Sequence, residues 1–253
     1  MLELLRGLES PVILGGGSNI LADDEGVRAP VVHTAGLRQI FIEGETVRAG
    51  CGVGLPELSR AAARQGLSGL EWASGIPGSL GGAVVMNAGA YGGEMSQVVT
   101  EVLAFDGHTL VSMTGFDYSY RHSIFLDNPA FTVLEATLKL TRDEPSEIAA
   151  RMETHMKARN EKQPVTQPSA GSFFKRPKNG YAAAMIDECG LKGAHVGGAM
   201  VSEKHAGFVV NVGGATCEDV LRLASMVREA VYKKFGVELE PEVRLLGDAE
   251  WNF

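Results

Sequence analysis

Residues 74–93, SGIPGSLGGAVVMNAGAYGG, constrain this chain more than any other stretch. Gly75, Gly78, Gly81, Gly82, Gly89, Gly92 and Gly93 fall within it, and most of the remainder are small. A run with so few side chains lets backbone lie against something large and flat. It also leaves N–H groups able to point at anionic oxygens. A second run, Gly15-Gly16-Gly17-Ser18-Asn19, follows the apolar Val12-Ile13-Leu14. The two runs read as walls of one phosphate-bearing cofactor site. Neither is a Walker loop or a GxGxxG fingerprint. Taken alone, the first run could be a plain turn and the longer one a structural crossover.

The chain holds 32 glycines in 253 residues, nearly double the usual share of about 7%. They sit in discrete clusters, which marks tight backbone sites and not a flexible linker. No run of about 18 apolar residues exists, so no membrane-spanning helix is expected. The start, MLELLRGLES, lacks the basic head and long apolar core of a signal peptide. Three scattered cysteines, Cys51, Cys189 and Cys217, argue against a disulfide framework and fit a reducing cytoplasm. The formal charge is −8 and no basic stripe is present, so nucleic acid is not an expected partner. A local cluster, Lys175, Arg176 and Lys178, is the candidate for meeting an anionic ligand. His195 and His205 lack metal-ligand spacing, so no metal site is expected.

Short apolar runs separated by turn signals predict an α+β fold. Helices are expected at 2–8, 58–65, 146–160, 182–189 and from the Thr216-x-x-Asp219 capping pattern to just before Gly236. Hairpins are expected around Gly44-Glu45 and Gly107-His108. Residues 133–140 alternate, with Leu134, Ala136, Leu138 and Leu140 on one face. Residues 167–179 read as a loop, and 239–246 as a closing strand. A boundary near 142–145 divides the chain into 1–143, with subdomains of about 1–36 and 37–143, and 144–253.

Three polar positions stand out beyond the glycine runs. Arg121, in SYRHS, is either a packed cation among aromatics or a two-pronged carboxylate clamp. Ser172 lies in SAGSFFK. It is either a turn-capping serine or a proton donor, and no G-x-S-x-G elbow surrounds it. Glu242 lies in PEVR on the last expected strand, where it must find partners or face solvent.

PVILGGGSNIL, SGIPGSLGGAVVMNAGAYG, YSYR, SAGSFFKRP, GLKG with GGAMVSEKHAGFVVN, and LEPEVRLLG resemble, in order, the UDP-N-acetylenolpyruvoylglucosamine reductase family. The resemblance runs from Val12 to Gly247, to the shorter subgroup without an inserted tyrosine loop. It implies an FAD enzyme using NADPH, with an N-terminal flavin-binding region of the vanillyl-alcohol-oxidase type. A C-terminal substrate domain would follow. The implied reaction reduces a UDP-N-acetylglucosamine enolpyruvate to UDP-N-acetylmuramate in peptidoglycan precursor synthesis, with a small-molecule substrate and no obligate protein partner.

Carried over by motif, the resemblance implies FAD contacts at Gly15, Gly16, Gly17, Ser18, Asn19, Gly75, Ile76, Pro77, Gly78, Gly81, Gly82, Ala83, Asn87, Ala88 and Gly89. It implies catalytic roles for Arg121, Ser172 and Glu242, and a substrate contact at Lys175. Family members usually carry a further N-terminal segment before GGGSN, so the resemblance also implies a chain short at that end, with a reduced flavin cradle. Two other functions stay open on sequence alone. One is a related flavin oxidase, against which SAGSFFK and PEVR count. The other is a non-catalytic protein that binds UDP-sugar or flavin.

Overall fold

A computed structural model describes residues 2–251, and it is α+β as the patterning predicts. By contact the chain divides into two compact units. The first is Met1–Gly17 with Ala29–Ala158, and the second is Ser18–Arg28 with Arg159–Phe253. This differs from a division at 143 in two ways. The C-terminal limit falls inside the continuous helix Pro145–Lys162. The segment 18–28 joins the second unit because Ile20–Ala22 pairs in parallel with Arg244–Leu246. The expected strand at 239–246 is ladder-paired only over those last three residues.

The first unit is built on a five-stranded antiparallel sheet. Its spatial order is Leu110–Met113, Val99–Phe105, Thr132–Lys139, Thr46–Gly50, Ile40–Glu43. Both expected hairpins are present, and Gly44 takes the left-handed conformation its turn requires, at φ 60°. The central strand departs from simple alternation. A register shift between Val133 and Glu135 puts Val133 in the main core, while Leu134 packs in a separate cluster with Leu5, Val32 and Phe105. A bulge adds one residue and turns the following side chain to the other face, so Leu134 does not share its face with Ala136 and Leu138.

Helices Leu55–Arg64 and Leu80–Val85 contribute Leu55, Leu58, Leu80 and Val84 to this core. Pro56 sits in the first turn of the former and Gly66, at φ 64°, follows its end. Segment 51–55 is laced to the start of the latter. Leu80 N–H donates to Val53 O (2.8 Å), Gly81 N–H to Cys51 O (2.8 Å) and Leu55 N–H to Gly78 O (3.0 Å). These bonds fix the glycine-rich segment onto the sheet.

The second unit holds a four-stranded antiparallel sheet ordered Ser169–Ser172, Phe208–Asn211, Ala199–Val201, His195–Val196. Helices Ala182–Glu188 and Cys217–Phe235 supply Ile186, Leu223, Val227 and Val231 to its core. The Thr216/Asp219 capping box forms as expected, with Asp219 N–H donating to Thr216 Oγ1 at 3.0 Å. Gly236 ends that helix in the left-handed conformation. SAGS is an edge strand and not part of a loop. Ser169 and Ser172 pair with Val210 and Phe208 across an irregularity at Gly171, whose φ is 82°. Strand propensity is weak in Ser-Ala-Gly-Ser, so only the partner strand reveals it.

Candidate functional site

In the first unit the two glycine runs meet backbone to backbone. A Cβ on Gly16 would lie 2.8 Å from Gly78 Cα, and one on Gly15 would collide with Ser79 Oγ. Ser79 also caps the Leu80–Val85 helix by accepting from Gly82 N–H at 3.4 Å. Much of the glycine is therefore spent on packing within the protein. A Cβ on Gly81 would lie 2.8 Å from Cys51 Cβ, and one on Gly89 would meet Gly93 O and Glu94. Gly81 and Ala83, both expected as FAD contacts, are buried in the core. Gly16, Gly17, Pro77 and Gly82 are exposed, and Gly15, Gly75, Ile76, Gly78, Ala88 and Gly89 are half-buried.

This surface fits a flavin nucleotide. Gly17 has open space where a Cβ would stand, and Gly82 meets only the Ser79 hydroxyl, at 3.6 Å. Among the described residues, Gly16 and Gly17 N–H make no backbone hydrogen bond. Donors of that kind suit a diphosphate. Ser74 Oγ is buried with no partner among the described residues, a polar atom that a ligand could satisfy. Sequence reasoning did not single out Ser74 as a candidate; its place at the head of the glycine run was the available signal.

Asn87 is fully buried, and its amide is used inside the unit. Nδ2 donates to Ser119 O (3.0 Å) and Glu94 Oε1 (3.2 Å), while Oδ1 accepts from Ser96 N–H (2.9 Å). The motif implies a cofactor contact at Asn87, and its amide is engaged within the unit. Arg121, half-buried, donates from Nη2 to Gly89 O (3.1 Å) and from Nη1 to Asn87 O (3.5 Å). Its guanidinium also lies 5.0 Å from the Tyr120 ring centroid. Five described non-glycine residues have positive φ, and four of them are Asn87, Tyr91, Asp117 and Arg121. Such conformations cost on the order of 1 kcal/mol or more each, and they persist only where surroundings enforce them. Their concentration on two touching segments marks this place as specialised.

In the second unit four of the expected residues come together. Ser172 ends its strand with an exposed side chain, and Phe173 and Phe174 behind it are buried. Phe174 bridges Pro241, Glu242 N–H donates to Phe173 O (2.8 Å) and Lys175 N–H donates to Glu240 O (2.8 Å). This short pairing holds Glu242, half-buried, alongside the SAGSFFK segment. Arg244 is exposed. The Lys175 ammonium pairs with the Glu240 carboxylate. Asn19 also belongs here. Its Nδ2 donates to Glu242 O (3.0 Å), and its carbonyl accepts from Arg244 N–H (3.0 Å). The Gly-Gly-Gly-Ser-Asn run therefore splits after Gly17, with Ser18 and Asn19 in the second unit. Asn19, expected on a cofactor, grips the backbone of the Glu242 segment.

Known proteins share this organisation. The family profile for an FAD binding domain matches residues 9–111, and that for the C-terminal domain of UDP-N-acetylenolpyruvoylglucosamine reductase matches 163–246. The reductase of Caldanaerobacter subterraneus subsp. tengcongensis is 46% identical over 239 residues, 93% of this chain and 79% of that protein. The reductase of Syntrophomonas wolfei is 48% identical over 240 residues, covering 93% and 80%. The crystal structure of the Thermus caldophilus enzyme superposes with a TM-score of 0.85 at 39% identity, covering 97% of this chain and 89% of that one. A relationship of this extent, spanning both units, means that the chain belongs to the UDP-N-acetylenolpyruvoylglucosamine reductase family.

Proposed function

We infer that this protein reduces the enolpyruvyl group of UDP-N-acetylglucosamine enolpyruvate to the lactyl ether of UDP-N-acetylmuramate, using FAD and NADPH. Identity of 46–48% to reductases over 93% of the chain carries this reading. The work belongs to peptidoglycan precursor synthesis, and we place it in the cytoplasm. No helix among the described residues is long and apolar enough to cross a membrane.

Residues 15–17, 75–78 and 82, with Ser74, would hold the FAD, chiefly through backbone and the Ser74 hydroxyl. When bound, FAD supplies the hydride, taken from NADPH, that adds to the terminal alkene carbon of the substrate. Negative charge then develops on the substrate carboxylate as the enolate forms. Arg121 is the residue for that charge, because a guanidinium offers two parallel donors to a carboxylate. A preformed donor of this kind contributes about 3–4 kcal/mol. The Ser172 hydroxyl gives its proton to the carbon beside the carboxylate, completing addition of hydride and proton across the double bond. Serine is a weak acid, so this step depends on a strongly basic enolate and a fixed donor. Glu242 acts with Arg121 on the developing negative charge through a hydrogen-bonded or protonated arrangement, and Lys175 contacts the substrate.

The test is anaerobic. The FAD-loaded protein should lose its visible flavin band on adding NADPH and regain it on adding the enolpyruvyl substrate. Recovery only with oxygen would identify an oxidase and sink the assignment. Ser172→Ala should slow the substrate-driven recovery by about 100-fold or more while leaving the NADPH step intact. An unchanged recovery would remove Ser172 from the mechanism.

A further inference from the structure

We propose that Asn87 is the positioning residue for Arg121, acting through the protein and not through the cofactor. The inference rests on Arg121 having the role given above.

Four bonds join the last residue of the Leu80–Val85 helix and the segment after it to the turn that carries Arg121 and to Ser123 just beyond it. Ser123 Oγ donates to Val85 O at 2.6 Å. Asn87 Nδ2 donates to Ser119 O at 3.0 Å. Arg121 donates to Asn87 O (3.5 Å) and to Gly89 O (3.1 Å). Asn87 engages the turn twice, by its side chain at Ser119 and by its carbonyl at Arg121. The turn itself is a tight reciprocal pair, Ser119 N–H to His122 O (3.2 Å) and His122 N–H to Ser119 O (3.1 Å). Arg121 sits inside it at φ 56°. A long side chain does not hold that conformation unaided. Removing the Ser119 anchor frees the turn to relax toward negative φ, which swings the Arg121 Cβ and guanidinium away.

The amide orientation of Asn87 is fixed by chemistry. Ser96 N–H is a donor, so the oxygen must face it, which leaves both Nδ2 hydrogens for Glu94 and Ser119. Glu94 is in turn held by the Ser96 hydroxyl and by the capping box it forms with Gln97. Asn87 itself lies at φ 41°, a conformation that asparagine tolerates better than most residues. Asparagine is therefore suited here twice over, by backbone and by having two donors beside one acceptor.

The test separates the two halves of the reaction in the FAD-loaded protein. Asn87→Ala and the equal-sized Asn87→Asp should slow substrate-driven flavin reoxidation by about 10- to 100-fold. Both should leave flavin content and the rate of reduction by NADPH at parental values. A second readout needs no flavin. The Arg121 guanidinium nitrogens, assigned with Arg121→Lys, should give separate NMR signals in the parent chain and averaged ones in the Asn87 variants. Asn87→Asp retains shape and carries the test if the alanine variant does not fold. Equal loss in both half-reactions, or loss of bound FAD, would make Asn87 a cofactor-wall residue and overturn the proposal. If Arg121→Ala is slow but Asn87→Asp reoxidises normally, positioning alone is wrong. If Arg121→Ala itself reoxidises at the parental rate, the reading of Arg121 falls and this proposal with it.

Discussion

Gly81 and Gly82 are adjacent in sequence and alike in composition, yet opposite outcomes are expected when each becomes alanine. Both lie in the Leu80–Val85 helix, where alanine is favoured over glycine by about 0.5–1 kcal/mol. At Gly82 the new methyl stands at 3.6 Å from Ser79 Oγ, an ordinary contact, and the position is exposed. Gly82→Ala should thus stabilise the flavin-free chain, raising its melting temperature by about 1–4 °C. At Gly81 the methyl would lie 2.8 Å from Cys51 Cβ and 3.3 Å from Cys51 O. Cys51 is 1% exposed, and its N–H and O are tied to Leu134 O and Gly81 N–H, so that side has nowhere to move. Overpacking of that sort costs about 1–3 kcal/mol. After the helix gain the net loss is up to about 2.5 kcal/mol, a fall of up to about 10 °C. FAD titration of the same proteins should show the reverse order. Gly82→Ala puts a methyl on the proposed cofactor face and should weaken FAD by about tenfold or more, about 1.4 kcal/mol. Gly81→Ala, once folded, should bind nearly as well as the parent. A stabilised Gly81→Ala, or a Gly82→Ala with parental FAD affinity, would refute the division of the run into a packing side and a ligand side.

Further expectations follow from the same contacts. Asn19→Ala removes one hydrogen bond to the Glu242 carbonyl. It should lower stability by about 1 kcal/mol without changing FAD affinity; a large drop in affinity would return Asn19 to the cofactor. Glu71 is buried, and burial opposes its charge. Hydrogen bonds from Gly69 N–H, Ser68 and Arg151 nevertheless outweigh that and hold its carboxyl below the usual range. A depressed folded value means the stabilisation is fully present above the unfolded carboxylate value of about 4.3 and is lost as pH falls through the folded one. Glu71→Gln should therefore flatten the acid limb of the stability–pH curve below about pH 4; an unchanged limb in urea titrations would exclude this group. Burial also lowers the His205 pKa, with Gly207 N–H donating to Nδ1 at 3.1 Å. That contribution is present above the unfolded histidine value of about 6.5 and declines below it. His205→Gln should accordingly reduce the loss of stability as pH falls below about 6.5; an unchanged slope in urea titrations would exclude this group.

Sequence alone determined the class of fold, the hairpins, the capped long helix and the motifs that place the chain in its family. Each of these is local. A turn glycine, a Thr-x-x-Asp cap or a run of valines acts on neighbours a few residues away, so its signal lies within a short window. The two glycine runs and Arg121, Ser172 and Glu242 stood out as candidates for the same reason, as residue types unusual for their surroundings. Tertiary structure decided what each does locally. Gly81 and Gly82 differ only because Cys51, thirty residues away in sequence, stands behind one of them. SAGS becomes a strand because Phe208–Asn211 pairs with it. Leu134 leaves its face because a bulge resets the register of a strand pair. Asn19 and Asn87 spend their amides on Glu242 O and on Ser119, Glu94 and Ser96. No pattern within either motif could show this, because the partners of an amide are set by chain segments brought near in space.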